Sequence, residues 1–282
     1  MGPVCHTFSY DAVSLSYYRW GRGEPVLLLL HGLADHGLVW QSLAHGLAKR
    51  YSCVAPDLRG HGNSSKPDDP SAYSSPALVQ DLQALTHHLG GAQVRVVAHS
   101  WAAKLALLWA KHHPGSVQSL VLVDPFFVNK LPGFLRPTFP LLYRTLPFLK
   151  VMGPFATYDQ AEALAQTLKQ YRGWSPLQAE VFRAGMEEKA GQTWGSKFAI
   201  AARNGVFEDI LQRAGLTTTL STPTLLLLPE QGLNRMGWQI KPYKTYLPNL
   251  TIETIPGNHW PHLVAPDTLN QAVSDYLVKE TR

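Results

Sequence analysis

The sequence predicts an α/β architecture: a mostly parallel sheet flanked by helices, with one helical insertion. Three observations carry that prediction. Strand-like and helix-like runs alternate through the first half of the chain, the order that builds parallel sheets. The run VLLLL (Val26 to Leu30) has no polar alternation, as expected of a strand covered on both faces. The alternation stops after Asp124 and resumes near Pro223, so a segment has been inserted between two strands of one sheet.

The elements follow in order. His6 to Tyr10 and Val13 to Arg19 alternate in polarity and read as an opening hairpin. After the turn Gly21 to Pro25 come the buried strand, a helix over Leu38 to Lys49 and a strand over Ser52 to Ala55. Pro76 to Leu89 reads as a helix, Val94 to Ala98 as a strand, Trp101 to His112 as a helix and Ser119 to Val123 as a strand. Residues 125–215 are rich in Pro, Phe, Leu and Tyr and read as proline-broken helices with no strand-like run. Beyond them lie a strand (Pro223 to Leu228), a helix (Met236 to Leu247), a strand (Leu250 to Ile255) and a helix (Ala265 to Lys279). The expected division is therefore a core of 1–124 and 216–282 carrying a helical cap of 125–215.

Composition narrows the function. With 45% hydrophobic and 16% charged residues the chain can build a large core, which argues against disorder. The net charge of +5 comes from scattered residues with no basic run of five, so nucleic acid is not an expected partner. Two cysteines, Cys5 and Cys53, supply neither a disulfide framework nor metal spacing. No basic segment followed by an apolar run opens the chain, and a cytoplasmic protein is expected.

The chemistry is concentrated in VRVVAHSWAA, Val94 to Ala103. A β-rich run delivers Ser100 to a strand-to-helix corner, where a sharp turn lifts the hydroxyl clear of its neighbours. Close passage of strand and helix explains the small residues Ala98 and Ala102, which stand where G-x-S-x-G has glycines. A serine hydroxyl needs a base within hydrogen-bond reach, and among side chains histidine has the suitable pKa.

Together with this elbow, three further motifs resemble the α/β-hydrolase fold family: His31-Gly32-Leu33 after the buried strand, DLRGHGNS (Asp57 to Ser64), and GNHWPHL (Gly257 to Leu263) after the final strand. The resemblance covers nearly the whole chain. It implies a catalytic triad with Ser100 as nucleophile and His259 as base. It also implies an oxyanion hole formed by the backbone N–H groups of Leu33 and Trp101. His31 is expected to be structural, His99 to point away from Ser100, and His262 to lend a supporting hydrogen bond within its loop.

The triad acid has two candidates. The family's common position, after the strand that follows the cap, falls on Gly232 in LLLLPEQGLNR. Asp124, ending the strand before the insertion, is a site that some members use; Glu230 is the alternative. The PGNH-type loop Pro256 to His259 is similar to the serine-hydrolase-like branch, which favours Asp124. Dehalogenases and epoxide hydrolases of this fold carry Asp at the elbow, so Ser100 points to acyl carbon instead.

The resemblance makes the insertion a cap over the site. Phe126 to Tyr158 carries Lys130, Arg136, Arg144 and Lys150 with no acid, a mix suited to an anionic amphiphile or a membrane surface, or else to a lid with solvated cations. The expected function is a cofactor-independent, carboxylesterase-like serine hydrolase. It would cleave an ester, thioester, lactone or C–C bond of a small apolar substrate through an acyl-serine intermediate. An aminopeptidase like proline iminopeptidases, whose elbow AHSWAAKLALLWA resembles, and a non-catalytic ligand-binding member of the fold are the alternatives.

Overall fold

The computed structural model describes residues 2–91, 93–126 and 128–280. Eight strands form one sheet: β1 (Val4–Tyr10), β2 (Val13–Trp20), β3 (Val26–Leu30), β4 (Ser52–Pro56), β5 (Val94–His99), β6 (Val117–Val123), β9 (Thr224–Gln231) and β10 (Leu250–Asn258). Their spatial order is β1-β2-β4-β3-β5-β6-β9-β10. The opening hairpin pairs antiparallel and joins β4 antiparallel, while every pair from β4 to β10 is parallel.

The helices α1 (Gln41–Leu47), α2 (Ser75–His88), α3 (Ala102–His112), α8 (Gly237–Tyr246), α9 (Pro261–Val264) and α10 (Pro266–Lys279) connect or follow these strands. The VLLLL run is apolar throughout because it serves two cores. Val26, Leu28 and Leu30 pack with α2 and α3 on one face, and Leu27 and Leu29 pack with α1 and α10 on the other. All five are at most 1% exposed, and burying each such side chain stabilises the fold by about 1.5–3 kcal/mol. Among the described residues no helix is long and apolar enough to cross a membrane.

Between β6 and β9 lie α4 (Phe139–Thr145), α5 (Tyr158–Gln166), α6 (Pro176–Ala184) and α7 (Ile200–Gln212). The sequence reading of this segment as free of strands is corrected here. β7 (Met186–Lys189) and β8 (Thr193–Ser196) form an antiparallel hairpin of their own. Its polar strands lack the apolar alternation that signals a half-buried strand. The turn makes the hairpin, with Gly191 and Gln192 both at positive φ (78° and 59°).

Helix α7 rests on the short turn Pro70–Tyr73, and Gly205 permits the approach: a Cβ there would sit 2.2 Å from the Pro70 carbonyl oxygen. Alanine in a helix interior normally gains about 1 kcal/mol over glycine. Here the clash is with backbone and should outweigh that gain, so Gly205→Ala is expected to lower the melting temperature. A raised Tm would show that no such close approach exists.

Candidate active site

The carboxyl edge of the sheet brings three sequence-distant segments together. Ser100 follows β5 with φ +56°, the left-handed conformation that a sharp strand-to-helix corner requires and that costs a non-glycine residue about 1–3 kcal/mol. Its amide donates to the Val123 carbonyl at 3.0 Å, tying the corner to the neighbouring strand. Ala98 and Ala102 flank it fully buried. Asp124, also at positive φ (39°), ends β6. His259 follows β10 directly.

The three side chains form an unbroken line. His259 Nε2 lies 2.9 Å from Ser100 Oγ, and His259 Nδ1 lies 2.7 Å from Asp124 Oδ2. A carboxylate can only accept, so Nδ1 carries the proton and Nε2 offers its lone pair to the serine hydroxyl. Asp124 is fully buried and fully supplied with donors: the Leu233 amide at 2.8 Å and Asn234 Nδ2 at 2.9 Å join the imidazole. Glu230 ends up exposed near the end of β9 and contributes nothing to this line. Gly232, at the family's common acid position, matters by what it lacks. A Cβ there would lie 2.6 Å from Asp124 Oδ2, inside the space the carboxylate fills.

The two backbone donors inferred from sequence, Leu33 and Trp101, line one cavity with Ser100 and His259. Gly32 explains how Leu33 comes so close. A Cβ on Gly32 would stand 2.7 Å from His99 Nδ1 and 3.3 Å from Ser100 Cβ, so the glycine lets that loop lie against the elbow. Trp101 opens α3, where the helix dipole favours negative charge. The cavity measures about 660 Å³, within the usual size for small-molecule sites. Its walls come from the core and the insertion, including Leu142, Leu146, Phe148, Phe207 and Ile210. Lys130, Arg136, Arg144 and Lys150 do not line it, and Arg136 pairs with Glu208.

Asn234 and Asn258 support the site without having carried a sequence signal, while His31 and His99 take supporting places. Asn234 also bonds the Pro125 carbonyl, closing the loop around Asp124. Asn258 accepts from the Trp260 amide and donates to the Lys169 carbonyl, fixing the turn on which His259 stands. His31 holds the Gly32 carbonyl and the Leu58 amide, a structural use. His99 points away from the serine hydroxyl and binds the His259 carbonyl at 2.7 Å.

His262 departs from expectation. Among the described residues neither ring nitrogen has a hydrogen-bond partner, and the ring packs instead on Trp40 and His99. With Asp35 and His99 it forms the one metal-like grouping among the described residues, with ligand atoms within 4.8 Å of one another. The spacing is loose for zinc: Asp35 Oδ2 and His99 Nδ1 stand 3.9 Å apart, against ~3.4 Å between ligands of a tetrahedral ion. Burial pushes the Asp35 carboxyl up to about 8, so near neutral pH it holds a proton and the buried cluster stays uncharged.

A family model described as alpha/beta hydrolase fold matches residues 25–266. Epoxide hydrolase 4 of Mus musculus is 25% identical over 303 residues, spanning 100% of this chain and 81% of that protein. Serine hydrolase-like protein of Danio rerio is 25% identical over 274 residues, spanning 92% of this chain and 83% of its own length. The solved structure of E-2-(acetamidomethylene)succinate hydrolase superposes with TM-score 0.79 at 20% identity, covering 98% of this chain and 99% of the other.

Burial holds His31, His61 and His262 neutral, each down to about 3, well below the ~6.5 of an unfolded histidine. On acidification the unfolded chain therefore binds protons that the native chain refuses. The stability these residues contribute is complete above about pH 6.5 and is lost as pH falls toward 3. Asp35 acts oppositely by one proton between about pH 4 and 8, so a net uptake of roughly two or more protons on unfolding is expected at pH 5. Urea titrations at stepped pH measure it. Equal stability at pH 7 and pH 5 would contradict buried neutral histidines.

Proposed function

The chain belongs to the α/β-hydrolase fold family, and on that premise we propose that it is a cofactor-independent serine hydrolase of the carboxylesterase type. The observation that carries the reading is the Ser100–His259–Asp124 line, at 2.9 and 2.7 Å. His259 takes the Ser100 proton as the oxygen attacks an acyl carbon, and Asp124 stabilises the imidazolium as it forms. The oxyanion is received by the amides of Leu33 and Trp101. His259 then protonates the leaving group, and water activated by the same imidazole releases the acid from the acyl-serine.

The names of relatives do not select this chemistry, since they include an epoxide hydrolase beside a serine-hydrolase-like protein. What favours acyl transfer is a hydroxyl at the elbow. A lined cavity of about 660 Å³ beside it supports a small or medium-sized ester or thioester, with its apolar part against the insertion.

A fluorophosphonate probe should label Ser100, and Ser100→Ala should lose labelling and about 10⁶ of kcat on 4-nitrophenyl esters. An unlabelled but folded wild-type protein would favour a binding role. Asp124→Asn keeps size and removes charge, with an expected loss of about 10³ to 10⁴ in kcat, whereas Glu230→Gln should lose less than about tenfold. The reverse ranking, in variants verified as folded, would move the acid to Glu230.

A further inference from the structure

We infer that the substrate is an anionic amphiphile: an ester or thioester with an apolar chain on one side of the scissile bond and a carboxylate or phosphate within reach of Lys169 and Arg235. The inference deepens the serine-hydrolase reading and rests on it. The cavity lining brings unlike groups together. Leu142, Leu146, Phe148, Val206, Phe207 and Ile210, all from the insertion, are apolar. Lys169 and Arg235 add basic residues to the same lining. Among the described residues these are the only Lys or Arg that line the cavity, and no Asp or Glu lines it.

Both residues are tied close to the reacting groups, Lys169 through its backbone and Arg235 through its side chain. The Lys169 carbonyl accepts from Asn258, the residue before His259. Arg235 Nε donates to the Gly232 carbonyl at 3.1 Å, in the loop whose Leu233 amide and Asn234 side chain hold Asp124. With Nε so engaged, the guanidinium is steadied at one end. Both residues line the cavity yet are exposed, so they stand where it opens. Among the described residues neither makes an ion pair, whereas Arg136 and Arg213, which line no part of the cavity, are paired with carboxylates. Two unneutralised cations at the mouth of a low-dielectric cleft raise the local concentration of anions and repel cations. The apolar side chains of the same lining take an aliphatic chain, with each buried methylene adding affinity.

The test is a set of matched substrates, with the Lys169→Gln/Arg235→Gln variant beside wild type. One arm puts the charge on the leaving group: hexanoyl thioesters of 3-mercaptopropionate, N-acetylcysteamine and thiocholine, with hexanoyl pantetheine compared against its 4′-phosphate. The other arm puts it on the acyl end, with 4-nitrophenyl hydrogen adipate against 4-nitrophenyl hexanoate. In at least one arm kcat/KM should rank anionic over neutral, with the cationic thiocholine ester last if the responsive arm is the leaving-group one. The anionic advantage should be about tenfold at low ionic strength and shrink in ~0.5 M salt, as exposed charges are screened. In the double variant the anionic-to-neutral ratio should fall toward one, and Lys169→Glu/Arg235→Glu should reverse the ranking. The two arms tell which side of the bond bears the anion, and the pantetheine pair separates phosphate from carboxylate.

A flat ranking in both arms, or a ratio indifferent to both double variants, overturns the inference. If neutral esters still turn over and Ser100 is still labelled, the hydrolase reading survives that result. Binding to Ser100→Ala protein, decanoate against decanamide, makes the test independent of turnover. Equal affinities there overturn the anionic preference even in a chain that hydrolyses nothing.

Discussion

Burying a carboxylate obliges a chain to surround it with donors, because an ionised group without partners in a protein interior costs several kcal/mol. At the carboxyl edge of this sheet that obligation falls on Asp124, and two segments answer it with three donors. The loop after β9 gives the Leu233 amide and the Asn234 side chain, and the loop after β10 gives the His259 imidazole. Meeting the demand therefore brings the ends of three strands to one point. Ser100 is held at the same point by its amide bond to Val123, one residue before Asp124. Order in the histidine loop follows from keeping one anion hydrogen-bonded, and the elbow is tied to the residue beside that anion.

How far the sequence revealed this depended on which physical signal each part leaves. The sheet was legible because doubly covered strands are unbroken apolar runs, as VLLLL is. The elbow was legible because steric crowding between strand and helix calls for small residues two positions before and after Ser100, here Ala98 and Ala102. The hairpin of β7 and β8 was not, since its pairing is driven by a turn and its side chains are mixed in polarity. Nor were Asn234 and Asn258, whose roles rest on contacts 110 and 89 residues away in the chain. A lone Asn or His carries no periodicity to read. His262 shows the opposite error: proximity in sequence to His259 suggested a hydrogen bond in the loop, but the ring is taken up by packing against Trp40.

Fold and chemistry are separable here. A backbone superposing at TM-score 0.79 on a distant hydrolase establishes the scaffold, and the family model adds the kinship. What reaction the scaffold can host turns on a few atoms: a hydroxyl or a carboxylate at the corner, and where the cavity beside it places charge. This is the general relation of sites to superfolds, in which loops and single side chains specialise a shared frame.

Gly232 and Asp124 also bear on how such proteins can diverge. An acid at position 232 would begin from a Cβ 2.6 Å from Asp124 Oδ2, so it could be admitted only if the Asp124 carboxylate turned off its present position. Turning would take Asp124 from the Leu233 amide, the Asn234 side chain and the His259 imidazole that now satisfy it. A chain that keeps Asp124 on His259 therefore has a physical reason to keep the glycine.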